Sequence, residues 1–227
     1  MGDRLRGVFV TGTDTGVGKS VLASAICAAL VERGERVAAF KPAVTGLDED
    51  PGEWGHDHAL LASVADAGQL PEDVAPYRFG PAVSPHLAAE QAGAEIDPAA
   101  LLDSARRAAS GADALVVEGV GGLLVPLAPS YLVRDFVADL ALPVVIAARP
   151  GLGTINHTLL TVDAARDAGL RVAGIVMTPW PAQPGRLERS NIETVSSLAR
   201  TPVTQMAPIE RGSFGRARAL PLDDWVG

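Results

Sequence analysis

A single cysteine, Cys27, among 227 residues leaves no room for an intramolecular disulfide. It sits in an alanine-rich helical pattern and reads as a small core residue rather than a nucleophile. No uninterrupted apolar run approaches the length of a membrane span, so no membrane contact is expected. A basic arm or stripe is also missing. The 19 lysines and arginines face 27 aspartates and glutamates, a net charge of −8, which argues against nucleic acid as the main partner. There is no internal repeat and no low-complexity linker, so residues 1–227 read as one domain. The opening Met1-Gly-Asp-Arg-Leu-Arg6 runs straight into an apolar strand pattern, with none of the zones of a signal peptide. Together these absences predict a soluble, cytoplasmic chain without disulfides.

Aromatic residues make up only 4% of the chain, while 48% of it is hydrophobic, with alanine and valine dominant. That composition suits a parallel sheet covered by helices on both faces. Strand patterns fall at 7–11, 37–40, 114–118, 143–147, 172–177 and 203–206. Helical patterns fall between them at 19–33, 57–65, 98–109, 132–140, 154–168 and 186–199. Gly34 and Gly169 stand where helix-ending glycines belong. The alternation predicts a single-domain, three-layer α/β fold with a mostly parallel central sheet. Two turn-rich segments, 46–55 and 76–85, read as mobile surface loops.

The densest signal is Thr11-Gly-Thr-Asp-Thr-Gly-Val-Gly-Lys-Ser20, which follows Val8-Phe9-Val10 and opens a helical pattern. A glycine loop between a strand and a helix turns backbone N–H groups toward phosphate oxygens. Asp14, Thr15, Gly16, Val17, Gly18, Lys19 and Ser20 are therefore candidate nucleotide-binding residues, which predicts that a nucleoside triphosphate binds. Lys19 supplies charge to the outer phosphates and Ser20 a hydroxyl to Mg²⁺. Counting back from Gly18-Lys19-Ser20, the usual first glycine falls on Thr13, and the nearest glycine is Gly12. The loop is one residue longer than the common pattern.

In open sheets of this kind ligands bind beyond the carboxyl ends of the strands. Lys41 follows the second strand and either snorkels there or joins Lys19 at the phosphates. Beside a phosphate loop the second alternative is the stronger. Glu118 ends the third strand, where a carboxylate commonly holds Mg²⁺, and the following Gly119, Gly121 and Gly122 let a substrate approach the backbone. Asp57 lies in His56-Asp-His58 and reads as a Mg²⁺ ligand in preference to part of a zinc cluster. Leu152-Gly-Thr-Ile-Asn-His157 opens a helix whose free N–H groups, with Asn156, suit a carboxylate or another polar ligand end, and Thr154 suits a cap. His157 reads as a capping or packing residue, not a base.

Thr11 to Ser20, Lys41-Pro-Ala-Val-Thr-Gly46, Asp57, Ser84-Pro-His86, Val117-Glu-Gly-Val-Gly-Gly122 and Leu152-Gly-Thr-Ile-Asn-His157 together resemble the dethiobiotin synthetase family, in its order and with its longer phosphate loop. The resemblance implies a homodimer that joins CO₂ to 7,8-diaminononanoate with ATP and Mg²⁺. It places Thr15, Lys19 and Lys41 around the reacting group, and Ser20, Asp57 and Glu118 around Mg²⁺. Gly119, Val120 and Gly121 fall beside the nucleotide. Thr45, Gly121 and Gly122 match diamine-binding positions, with Val83, Ser84 and Pro85 as a wall of the same pocket. The substrate's carboxylate tail is expected to reach Gly153, Thr154 and Asn156 of the partner subunit. One family feature is missing. Where many members carry a base-reading asparagine, this chain has Thr178 and Pro179, leaving the backbone at Pro208, Ile209 and Glu210 to meet the base. Relaxed base choice follows, with CTP or GTP accepted. The family's tyrosine near the tail has Asn191 as its nearest match. A cobyrinate-type amidating synthetase is disfavoured by the lack of a glutaminase cysteine. A partitioning-type ATPase is disfavoured because Asp14 stands where those proteins carry a lysine, and by the lack of a basic or amphipathic tail.

Overall fold

The computed structural model describes residues 5–214 and 219–227, so residues 1–4, read above as the lead into the first strand, lie outside the described part. The chain runs β1 (Gly7–Gly12), α1 (Lys19–Val31), β2 (Val37–Phe40), β3 (Ala43–Val44), α2 (Asp57–Val64), α3 (Pro71–Val74), β4 (Tyr77–Arg78), α4 (Pro85–Gln91), α5 (Pro98–Ala109), β5 (Ala114–Glu118), β6 (Pro126–Ala128), β7 (Tyr131–Leu132), α6 (Val133–Leu140), β8 (Val144–Ala148), α7 (Thr154–Asp167), β9 (Val172–Met177), α8 (Arg186–Ala199), β10 (Val203–Gln205) and α9 (Leu222–Trp225).

The central sheet has the order β10-β9-β8-β1-β5-β2, and every neighbouring pair is parallel. Every residue of β1, β2, β5 and β8 is buried. Strands covered on both faces need apolar residues at successive positions, which explains continuous runs such as Leu115-Val-Val117. The pleat divides them between two cores. Phe9, Leu115, Val117 and Ile146 meet α5, α6, α7 and α8 on one face. Val8, Val10, Val116 and Val145 meet α1, α2 and α9 on the other. Cys27 is fully buried in the second core, and desolvation pushes its thiol well above the ordinary range. It is a packing residue, not a nucleophile. Among the described residues no helix is long and apolar enough to cross a membrane.

Two segments differ from the sequence expectation. The stretch 76–85 is not a free loop: β4 pairs with β3 in parallel, and α4 starts at Pro85 behind Ser84. Proline at the first helical position is a start signal, because its missing N–H is not needed there. The stretch 46–55 is tied to the same segment by the bonds Gly46 N to Pro81 O (3.0 Å), Leu47 N to Phe79 O (3.2 Å) and Asp48 N to Gly80 O (3.1 Å). The two loops form one hydrogen-bonded rim. The antiparallel hairpin of β6 and β7 and the short helices α3 and α9 are further additions.

The topology locates the ligand crevice. Strand β1 connects through α1 toward the β2 edge, whereas its neighbour β5 connects back across β1 to β8, so the two connections run toward opposite edges of the sheet. The switch point, the gap where strand order reverses, therefore lies between the carboxyl ends of β1 and β5, beside the glycine loop.

Candidate functional site

Strand β1 ends at Gly12, where a Cβ would come within 2.6 Å of Val17 Cγ2 and 3.0 Å of Lys19 Cγ. The loop folds back over its own base, and only glycine fits there. Gly16 (φ 72°) and Gly18 (φ 93°) take left-handed conformations, Gly18 as the N-cap of α1. Val17 differs from its neighbours: its side chain is buried in the core under α1, so only its backbone remains for a ligand. Lys19 is buried and donates to Asp14 O at 2.8 Å, across the loop. Asp14 Oδ1 accepts the Thr15 N–H at 2.7 Å, and its other oxygen faces Arg149 Nη2 at 3.3 Å.

Four side chains from separate elements converge beside this loop. Lys41 Nζ, almost fully buried, lies 2.7 Å from Glu118 Oε1 and 2.9 Å from Asp57 Oδ2. Ser20 Oγ lies 2.7 Å from Asp57 Oδ1 and 2.8 Å from Glu118 Oε1. Burial alone would lower the Lys41 ammonium, but the Glu118 and Asp57 carboxylates hold it above its ordinary value. Burial would raise the Asp57 carboxyl, yet Lys41 and the Ser20 hydroxyl bring it down to about 2. Glu118 is raised, first by burial and then by its like-charged neighbour Asp57. Lys19 is lowered, by burial above all. The cluster is a balanced set of two cations and two anions.

The donor chemistry fits Mg²⁺. Ser20, Asp57 and Glu118 offer hard oxygen atoms only, and Glu118 Oε2 is buried without a hydrogen-bond partner. Mg²⁺ takes one or two carboxylates and fills its remaining positions with water and phosphate oxygens. Among the described residues no group of three or more histidine, cysteine and acidic side chains is placed to hold a metal ion. The His56 and His58 rings lie tilted to one another with centroids 6.0 Å apart.

A cleft of about 1010 Å³ joins most of the predicted residues: Thr15, Gly16, Gly18, Lys19, Ser20, Lys41, Thr45, Asp57, Val83, Ser84, Pro85, Glu118, Val120, Gly121, Thr178, Pro179, Pro208 and Ile209. Asp14, Val17, Gly119, Gly122, Gly153, Thr154, Asn156 and Glu210 do not line it. Gly119 is bare for a packing reason, since a Cβ there would meet Phe9 at 2.9 Å, so its glycine does not by itself mark a substrate approach. Gly122 lines a second cavity of about 340 Å³ with Leu124, Val125, His157 and Leu160. Thr154 does not cap α7. Its hydroxyl is buried 3.3 Å from that of Thr158, and the cap position belongs to Gly153 at φ 90°.

Some lining residues were not anticipated. Glu49, Asp50, Glu53, Trp54 and His56 all border the large cleft. Trp54 packs at a tilt against Phe214, with ring centroids 6.1 Å apart, and Arg211 Nη1 donates to Glu53 O at 2.9 Å. These contacts tie the acidic turn to the segment that carries Pro208 and Ile209. A tryptophan inside an acidic, turn-rich stretch was the available sequence signal.

Residues 6–211 match the family model described as an AAA domain. The chain is 40% identical over 216 residues to the ATP-dependent dethiobiotin synthetase BioD of Anaeromyxobacter dehalogenans, covering 95% of this chain and 96% of the relative. It is 38% identical over 205 residues to the protein of that name from Bacillus licheniformis, covering 90% and 86%. Among solved structures it is similar to the MinC:MinD cell division protein complex of Aquifex aeolicus (TM-score 0.57, 14% identity, 93% of this chain and 84% of that one). It is also similar to a ParA family ATPase from Chlorobium tepidum (TM-score 0.55, 14% identity, 96% and 90%). At such identities these two likenesses concern the fold alone.

Proposed function

Because the chain belongs to the ATP-dependent dethiobiotin synthetase family, we propose that its large cleft closes the ureido ring of dethiobiotin from 7,8-diaminononanoate, CO₂ and ATP in biotin biosynthesis. The observation that carries this reading is the buried Lys41 ammonium, seated between Glu118 and Asp57 beside the loop that holds Lys19 and Ser20. Two lysines at one phosphate site are suited to a reaction that passes through anionic carbamate and phosphoryl groups.

The chemistry runs in three parts. An uncharged substrate amine adds to CO₂ and loses a proton, giving a carbamate. Lys19 and Lys41 disfavour the competing ammonium and stabilise the carbamate anion. A carbamate oxygen then attacks the γ-phosphorus and ADP departs, leaving a carbamic–phosphoric anhydride. Finally the second amine attacks the anhydride carbonyl, and phosphate leaves as the ring closes. Thr15, Lys19 and Lys41 surround the reacting group and act by positioning and charge, without a covalent enzyme intermediate. Ser20, Asp57 and Glu118 would hold Mg²⁺, which when bound neutralises β- and γ-phosphate oxygens. The rim formed by 46–55 and 76–85 keeps water from the anhydride. Thr45, Gly121, Gly122 and the wall at Val83, Ser84 and Pro85 receive the diamine.

A homodimer in the cytoplasm, with residues 1–227 as one catalytic domain in each subunit, completes the proposal. Support for the dimer comes from Leu124, Leu152 and Leu160, exposed at 56%, 91% and 60%, of which Leu124 and Leu160 border the smaller cavity. The tail carboxylate then meets Gly153, Thr154 and Asn156 at the start of α7 in the other subunit, through backbone N–H groups and the Asn156 side chain. Neither nucleic acid nor a membrane enters the reaction. An amidating synthetase is disfavoured because Cys27 is buried away from the cleft. A partitioning switch is disfavoured because Asp14 stands where those proteins carry a lysine early in the loop.

The base end of the cleft carries one prediction. Thr178 is buried against the glycine loop, and Pro179 has no N–H, so few side-chain groups remain to read the base. Dethiobiotin formation from diamine and bicarbonate is expected with ATP, CTP and GTP, with kcat/KM values within about tenfold of one another. Product with ATP alone would overturn the base reading. No product with any nucleotide would overturn the function.

A further inference from the structure

Asn191 lies in α8, forty positions beyond the loop that leads into α7, and is buried to 5% exposure. Its Nδ2 donates to Pro150 O at 2.9 Å and to Gly151 O at 3.1 Å. Gly151 O also accepts the first amide of α7, Thr154 N, at 3.3 Å. One carboxamide therefore joins α8 to the backbone that sets where α7 begins. Among the described residues no other side chain is bonded to the backbone of 150–154, although Arg149 at the head of the loop pairs with Asp14. The N-cap of α7 is Gly153, without a side chain, and the Thr154 hydroxyl is turned toward Thr158. His157 N, bonded to Gly153 O at 3.2 Å, closes the first helical turn. The amides of Ile155 and Asn156 ahead of it are helix-end donors available to an anion.

We infer that Asn191 is a positioning residue for the substrate's carboxylate: it holds the 149–153 loop so that the first amides of α7 face the tail. The inference rests on the reading that the tail binds at this helix start. Direct contact with the tail is the competing role, and the hydrogen-bond inventory opposes it. Both Nδ2 hydrogens are directed at protein carbonyls, and the remaining Oδ1 is an acceptor that repels a carboxylate. Turning the amide over would set Oδ1 against two carbonyl oxygens, so the network itself fixes the orientation.

The experiment compares two diamines on the intact enzyme: 7,8-diaminononanoate, and 2,3-diaminooctane, the same vicinal diamine with hydrogen in place of the carboxylate. In the native enzyme the KM for 2,3-diaminooctane is expected to exceed that for the acid about tenfold or more. Asn191→Ala is expected to raise the KM for the acid about tenfold, while kcat, the KM for ATP and the KM for 2,3-diaminooctane stay within about twofold. The difference between the two diamines then collapses. Asn191→Ser keeps one donor, should fall between, and provides the test if the alanine variant does not fold. A native enzyme that discriminates, with a variant whose two KM values rise together or not at all, overturns the role of Asn191 alone. A native enzyme that treats both diamines alike overturns the tail site, and the inference with it.

Discussion

Lys41→Ala is expected to lower dethiobiotin formation by about 10²- to 10⁴-fold, the range seen when a preorganised charge is removed from a developing anion. The native ammonium is almost wholly buried and makes close contact with both carboxylates of the cluster. Burial alone would lower its pKa, but those contacts hold it above the ordinary lysine value. Removing it takes away the cation that contacts both Asp57 and Glu118, so their charge faces the incoming triphosphate less compensated. The loss should therefore appear in kcat and in kcat/KM for ATP together. Circular dichroism separates this from unfolding, since the buried Glu118 carboxylate left without its lysine partner also weakens the fold. A folded variant with native turnover would remove Lys41 from the mechanism.

Glu118→Gln should produce the second largest effect, a fall of about 10²- to 10³-fold in kcat/KM with at least a tenfold rise in the Mg²⁺ concentration giving half-maximal rate. One carboxylate oxygen of Glu118 lies within bonding distance of both Lys41 and Ser20, and the other is buried without a partner. An amide keeps the shape but removes the charge, and it directs two hydrogens at groups that are themselves donors or that await a cation. Asp57→Asn should shift Mg²⁺ in the same direction but less, because the Asp57 side chain is 40% exposed and water can replace part of its field. An unchanged Mg²⁺ profile in Glu118→Gln would show that the cluster does not hold the metal.

The sheet and the phosphate loop were legible because each rests on short-range rules. Continuous apolar runs mark strands buried on two faces, and a glycine loop between strand and helix has a single physical use. Lys41, Asp57 and Glu118 were legible through position, each at the carboxyl edge where the topology collects side chains. The pairing of β3 with β4 was not, because two-residue strands exist only through their partners. Helix α4 did carry a signal in Ser84-Pro85, outweighed by the turn character of the residues before it. Thr154 was misjudged as a cap because the sequence does not reveal that Gly153 takes a positive φ and turns the threonine inward. Asn191 was named only as the nearest match to the family's tyrosine, and its contacts were not legible: its partners are 40 and 41 positions away, and only the packing of α8 on α7 brings them within reach.

The central claim is that phosphoryl transfer in this cleft is coupled to the diamine. Phosphate release measured with ATP, Mg²⁺ and bicarbonate, with and without 7,8-diaminononanoate, tests it most directly. The account predicts background release without the diamine, and with it one phosphate for each dethiobiotin formed. Equal release in the two conditions, or release stimulated by DNA or lipid vesicles in place of the diamine, would contradict it.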